Sequence, residues 1–202
     1  MDGTAKGYHH GNLKTALVEA GLEIIEAEGL PGLSLRAIAA KVGVSHTAPK
    51  NHFGSLRGLL TAIGTEGFRL HAAAMREGVA EASGRKARLE AAMRGYVRFA
   101  ETHPHLFQLM FSPQSCDFAD TDLIAQARES YAVLADISTG LNWDKALTPG
   151  GQQRTEMMLW SMVHGYAMLR INGNFVHRTG GTTPWNIEDI LPDFNYLPEN
   201  DP

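Results

Sequence analysis

Cysteine is almost absent from this 202-residue chain: Cys116 stands alone, so no internal disulfide can form and nothing points to an oxidising compartment. As a small apolar side chain it is expected in the core, not at a redox site. The N-terminus has no apolar stretch of signal-peptide length. No uninterrupted apolar run approaches the roughly 20 residues that a membrane-spanning helix needs. These gaps predict a cytoplasmic protein with no membrane partner. Catalytic signatures are missing too: there is no Gly-rich phosphate loop, no paired-cysteine metal pattern and no nucleophile elbow. The histidines are scattered, and the close pairs His9-His10 and His103-Pro104-His105 lack a third ligand nearby. Solvated or capping histidines fit them better than zinc. The carboxylates form no convincing acid/base pair. The expectation is no enzyme, no cofactor and no metal.

What is present is ordinary in bulk and uneven in detail. Hydrophobic residues make up 44% and charged residues 20%, which suits a globular protein with a sizeable core. The chain is acidic overall, with 18 Lys+Arg against 22 Asp+Glu. Yet residues 29–60 contain Arg36, Lys41, Lys50 and Arg57 and no acid at all. A cationic island in an anionic chain suits a phosphate backbone.

Two short helical patterns sit inside that island. Leu35, Ile38, Ala39 and Val42 recur at helical spacing, so Ser34 to Val42 predicts a helix with Ser34 as its N-cap. Gly43 ends it at a left-handed position, and Val44 fills the turn. Ser45 can cap a second helix, His46 to His52, which is followed by Phe53, Leu56, Leu59 and Leu60. Helix, Gly-containing turn and helix make a helix-turn-helix unit. The second helix shows Ser45, His46, Thr47, Lys50, Asn51 and His52 and little apolar surface. A solvated surface helix would share that composition, but the local charge favours a reader of DNA. Lys50 can reach phosphate or a guanine edge, Asn51 an adenine, and Thr47 a phosphate or a thymine methyl.

Residues 8 to 60 resemble the DNA-binding domain of the TetR family of bacterial transcription regulators. The resemblance rests on YHHGNLKTALVEAGLEIIEAEG, LSLRAIAAKVGVS and HTAPKNHF. Trp160, His164 and Gly165 are similar to the signature of the WHG-type C-terminal domain found in one branch. The chain departs from the pattern twice. Lys50 stands where the family has a phosphate-contacting Tyr, and Leu56 where it has Lys; the adjacent Arg57 is expected to take over the latter role. The resemblance implies an all-α fold, with a three-helix helix-turn-helix domain at 1–54 and a helical effector-binding and dimerisation domain at 55–202. It also implies a homodimer on palindromic double-stranded operator DNA and a small-molecule effector. The DNA-binding set is then Lys14, Ser34, Arg36, Ser45, His46, Thr47, Lys50, Asn51, His52 and Arg57.

The rest of the chain reads as helices. The first runs from Gly11 to about Glu28, with Leu13, Ala16, Leu17, Ala20 and Ile24 on one face. Its acids, Glu19, Glu23, Glu26 and Glu28, put only its start, near Lys14, beside DNA. Lys6, His9 and His10 form either an arm near DNA or a disordered tail. Further helices are expected at Ser55–Glu81, Lys86–Thr102, Pro104–Phe111, Thr121–Leu141 and Gly151–Ile171, with a weak last one at Ile187–Leu191 after the loop Thr179–Thr183. From Met157 to Ile171 apolar residues go all the way round, so that helix must be covered on every side. A second copy of the chain is one cover; a central position in a monomer is the other.

Phe99, His103, Phe107, Met110, Phe111, Phe118, Tyr131, Trp160, His164 and Met168 supply large adaptable side chains in the C-terminal part. Taken singly each would fill a core, and His164 reads as a satisfied core histidine. As a set, the resemblance makes them an effector pocket. Two functions are compatible with these features: a transcriptional repressor released by a small molecule, or a small-molecule-binding helical protein with a weakened or vestigial DNA reader. The departures at Lys50 and Leu56 motivate the second.

Overall fold

The computed structural model describes residues 10–143, 147–173, 185–192 and 194–196. The fold is all-α, with α1 His10–Glu28, α2 Leu35–Val42, α3 Ala48–Phe53, α4 Leu56–Arg76, α5 Arg85–Thr102, α6 Pro104–Met110, α7 Thr121–Ser138, α8 Gly151–Ile171 and α9 Ile187–Ile190. A 3-10 turn, Leu30–Gly32, comes after α1. One two-residue antiparallel ladder, which periodicity did not announce, pairs β1 Leu141–Asn142 with β2 Asn195–Tyr196. Lys6, His9 and the loop 179–183 lie outside the described residues, as does the His10 side chain.

The chain divides into two compact units. The first comprises residues 1–67 and 105–124, the second 68–104 and 125–202. Helix α4 contributes its first half to one unit and its second half to the other.

In the first unit, Leu17, Ile25, Ile38, Leu59 and Ile63 are fully buried. Gly21 lets α1 cross α4 closely: a Cβ there would lie 2.5 Å from Ile63 Cδ1. Two further glycines about one turn apart, Gly64 and Gly67, seat α6 and the loop after it. A Cβ at Gly64 would lie 2.9 Å from Cys116 Sγ, and one at Gly67 3.1 Å from Leu106 Cδ1. Leu106, Phe107, Leu109 and Met110 of α6 are all buried there. Cys116 is in that core as expected, and burial pushes its thiol up to about 11, far from thiolate reactivity.

Several helix ends differ from the periodicity. Helix α4 stops at Arg76, five residues early, because residues 77–81 form turns that begin with Gly78 at φ +77°. Helix α7 stops at Ser138, and Gly140, at φ +75°, leads Leu141 into the short ladder. Helix α6 ends at Met110, one residue short of Phe111.

The second unit is built on α5 and α8, which pack along each other. A Cβ at Gly95 would run into the Ala74 carbonyl, so only glycine allows α5 this approach to α4. Leu89, Ala92, Met93, Phe99 and Ala100 from α5 pack with Leu159, Val163 and Ala167 from α8 in the same core. Inside it sit polar groups. His71 is 2% exposed, and its Nδ1 lies 2.7 Å from Ser130 Oγ. The Tyr96 ring meets His71 edge-on, with centroids 4.3 Å apart.

Burial, and secondarily the nearby His164, pull the His71 pKa down to about 3. The unfolded chain takes up this proton near the ordinary value of about 6.5. Stability is therefore full above that value and declines as the pH falls toward 3, because the unfolded state binds more protons there. Denaturant unfolding followed by circular dichroism should show this decline. A His71→Gln variant, less stable at pH 7, should show a flatter one.

Candidate nucleic-acid interface

The turn between α2 and α3 is set by four local features. Ser34 Oγ accepts from the Ala37 amide at 3.1 Å and caps α2. At its far end Gly43 is left-handed, with φ +75° and ψ +33°. The Val44 amide reaches back to Ala39 O at 3.0 Å and the Gly43 amide to Ala40 O at 3.2 Å, which closes a Schellman turn. The fourth is Pro49. A helix starting at His46 would put the Pro49 ring against the Ser45 carbonyl four residues back and lose one hydrogen bond. Helix α3 therefore starts at Ala48, two residues later than its composition suggests, with Pro49 in its first turn. Thr47 is the N-cap residue and makes no side-chain cap bond. Ser45 is not the cap either: its Oγ sits 2.9 Å from Thr47 Oγ1 and accepts weakly from the Thr47 amide at 3.4 Å.

The result is a short helix with an inside and an outside. Pro49 is buried, and Ala48 and Phe53 are half-buried. Ser45, His46, Thr47, Lys50 and Asn51 are exposed, and Ser34, Arg36 and Lys14 are exposed on neighbouring elements. His52 is half-buried beside Phe53, its ring centroid 6.3 Å away. Lys14 Nζ lies 6.0 Å from the centroid of the Phe53 ring. Among the cations of the island, Lys41 pairs with Glu23 at 2.7 Å.

Arg57 is more occupied than its position in the sequence suggests. Its Nη2 donates to Cys116 O at 3.1 Å and lies 3.8 Å from an Asp117 carboxylate oxygen. The same stretch is held again where the Asp117 amide donates to Thr61 Oγ1 at 2.9 Å. The side chain is still 55% exposed, so the guanidinium serves the loop after α6 and keeps an outer face.

The aromatic set proposed for an effector divides between the two units. Phe107, Met110, Phe111 and Phe118 belong to the first. There Phe107 and Met110 are fully buried, Phe107 and Phe111 meet edge-on at 5.1 Å, and Phe118 is 41% exposed. Phe99, His103, Tyr131, Trp160, His164 and Met168 belong to the second, where rings touch in sequence. Tyr131 and Trp160 are 5.9 Å apart, Trp160 and His164 6.4 Å, and Phe99 and His103 5.1 Å. Met168 is half-buried on the same helix as Trp160 and His164. His164 is satisfied as expected: its Nδ1 lies 2.9 Å from the Tyr96 hydroxyl, and burial lowers its pKa. Burial raises Tyr131 to about 12, and its hydroxyl donates to Glu156 at 2.8 Å.

The sequence reading missed Tyr96, His71 and Ser130. A signal for His71 existed: it shares the α4 stripe of Phe68, Ala72 and Met75, where a polar residue needs a reason. Among the described residues no group of three His, Cys, Asp or Glu could hold a metal, and no helix is long and apolar enough to cross a membrane.

A family model described as the tetracyclin repressor-like C-terminal domain matches residues 89–186, which include Trp160, His164 and Gly165. Among solved structures, a protein of unknown function from Rhodococcus sp. RHA1 is 29% identical; the match covers 91% of this chain and 92% of that one, with a TM-score of 0.71. Two others share the fold. The TetR family protein ActR from Streptomyces coelicolor, solved in complex with (S)-DNPA, is 20% identical over 83% of this chain and 76% of its own, with a TM-score of 0.53. A TetR-like transcriptional regulator from Rhodococcus sp. RHA1 is 17% identical over 83% and 87%, with a TM-score of 0.52. No curated protein matches the chain in sequence.

Gly43 offers a clean test of the turn. A Cβ there would meet nothing within 4 Å, so Gly43→Ala adds only backbone strain. It should cost about 1 kcal/mol of stability in a urea titration. If the variant is as stable as the parent, the left-handed turn is not what holds α2 and α3 together.

Proposed function

We propose that this chain, whose residues 89–186 match the tetracyclin repressor-like C-terminal domain, is a TetR family transcriptional regulator: a homodimeric repressor that reads a palindromic operator through α3 and is released by a small-molecule effector. The observation that carries the DNA reading is the exposure of Ser45, His46, Thr47, Lys50 and Asn51 in an acid-free segment. In this reading Lys50 and Asn51 face base edges. Arg36, Ser34, Lys14 and the outer face of Arg57 hold phosphates. His52 is assigned a supporting place, since half of it is covered.

The dimer reading rests on α8. Gly151, Thr155, Leu159, Val163, Tyr166 and Ala167 are buried within the unit. A second side of the helix is left open, with Met157 52% and Leu169 43% exposed, and Met158 and Met162 half-covered. Gly165 lies on that face, and a Cβ there would meet nothing within 4 Å. An apolar, methionine-rich stripe with a glycine at its centre suits close packing against its own copy, and a two-fold dimer matches a palindromic site. The effector reading rests on the Tyr131, Trp160 and His164 rings and on the Tyr96 and His71 groups behind them. An effector there would favour a subunit spacing that misfits the operator, so effector and DNA weaken each other's binding reciprocally.

Fluorescence anisotropy on the intergenic DNA beside the gene, across a salt series and against scrambled competitor, tests the reading. Two chains should bind per palindrome. Asn51→Ala should lose about 1–3 kcal/mol of discrimination at one base position. Lys50→Ala should weaken binding and, if its contact is to phosphate, lower the salt slope by about 1. Tight specific binding that survives Asn51→Ala with its sequence preference intact would mean that α3 is not the reader. Binding that scrambled DNA abolishes equally well would favour a ligand-binding protein with a vestigial reader.

The dimer has its own test. Gly165→Glu should leave the helical circular dichroism unchanged, yield a monomer in sedimentation equilibrium and lose operator binding. A dimer of unchanged strength would remove α8 from the interface.

A further inference from the structure

The first unit holds a cleft of about 440 Å³ beside the reader helix, walled by α1, the end of α3, the start of α4 and the start of α7. That volume lies in the range of small-molecule sites, about 300–1,000 Å³. We propose that this cleft is a second ligand site, that it binds a small organic cation with an apolar body, and that its occupant strengthens DNA binding. The coupling to DNA rests on the regulator reading above; the site itself does not.

The lining selects the ligand. Val18, Ala62 and the Phe53 ring give it an apolar surface. Two of the lining hydroxyls already donate within the protein. Thr61 Oγ1 donates to Arg57 O at 2.8 Å and accepts from the Asp117 amide, and Thr65 Oγ1 donates to Thr61 O at 2.8 Å. The charged lining is mostly carboxylate: Glu19, Glu66, Asp120 and Asp122 outnumber Lys14 and His52. Asp120 Oδ1 accepts from the Leu123 and Asp122 amides at 2.9 and 3.0 Å, which aligns one carboxylate at the start of α7 and leaves its other oxygen as an acceptor.

The cleft also contains the contact it would offer. Lys14 Nζ stands 6.0 Å from the Phe53 ring centroid, at the edge of cation–π range. An ammonium is therefore already accommodated over that ring. A ligand amine could share the Phe53 face while pairing with the surrounding carboxylates, and its apolar body would cover Val18 and Ala62.

The sign of the coupling comes from charge. Four carboxylates in the unit that approaches phosphate oppose binding. A bound cation offsets part of that repulsion, and the cleft wall includes His52 and Phe53 of the reader helix itself. DNA and ligand should then raise each other's affinity by the same factor.

Isothermal titration calorimetry of the full chain with 2-phenylethylammonium, with phenylacetate as the matched anion, tests the site. The amine should bind saturably, once per chain, and phenylacetate should give no heat. A Glu19→Gln/Glu66→Gln variant, near-isosteric and expected to fold, should weaken the amine at least tenfold. Ala62→Leu, which fills the cleft without removing charge, should abolish binding, with thermal melts confirming that both variants fold. No saturable amine binding, equal binding of amine and acid, or an unchanged Kd in both variants would overturn the site. Operator anisotropy with saturating amine should show three- to tenfold tighter binding. An unchanged or weaker operator complex, with the calorimetric site intact, would overturn the coupling. A protein that binds amine but no DNA would instead defeat the regulator reading.

Discussion

A six-residue helix cannot hold itself together in water, because nucleation consumes more conformational entropy than its few hydrogen bonds return. Helix α3 is that short. It persists because it is anchored at one side and closed at both ends. Pro49 is buried against the rest of its unit, the Schellman turn at Gly43 sets its entry, and Gly54, at φ +73°, sets its exit. Pro49 faces inward, whereas the two glycines act through backbone conformation alone. What remains outside is a row of donors and acceptors with no reason to fold on themselves, and that row is what the proposed function uses.

The same economy of contact recurs wherever glycine lets one helix approach another. Gly21 against Ile63, Gly64 against Cys116 and Gly95 against the Ala74 carbonyl each mark a position where a methyl group would force a shift. Interiors are packed too densely to absorb such a shift without loss. The large side chains around them, among them Phe107, Met110, Phe99 and Met93, are fully or nearly fully buried. Gly165 has no such neighbour: a Cβ there would meet nothing within 4 Å.

Charge is distributed by the same logic. The described ion pairs Arg88–Asp136 and Arg94–Glu188, both 2.8 Å, hold surface helices of the second unit and contribute little individually. In the first unit Glu19, Glu66, Asp120 and Asp122 line the cleft and Asp117 lies beside Arg57, whereas residues 29–60, α3 among them, contain no acid. His71 and Tyr96 keep their polar atoms in the core of the second unit because burial holds each in its neutral form. A neutral imidazole next to a hydroxyl can stay there at pH 7, whereas an imidazolium could not.

The sequence alone determined the elements whose causes are local. Ser34 caps α2 because its oxygen reaches an amide three residues on, and Gly43 ends it because no other residue sits as cheaply at positive φ. The all-α architecture, the position of α8 and the burial of Cys116 were legible for the same reason: period and side-chain character act over a few residues. Where two local rules competed, composition misled. The capping character of Ser45 suggested a helix from His46, but the Pro49 ring excluded that start. Tertiary structure decided whatever depended on residues distant in the chain. It turned Arg57 toward Cys116 and Asp117, divided the aromatic set between two units, placed His71 beside Ser130, and brought Glu19 and Asp122 to one cleft. No spacing encodes these juxtapositions, because each depends on how helices far apart in sequence pack around shared glycines and a common core.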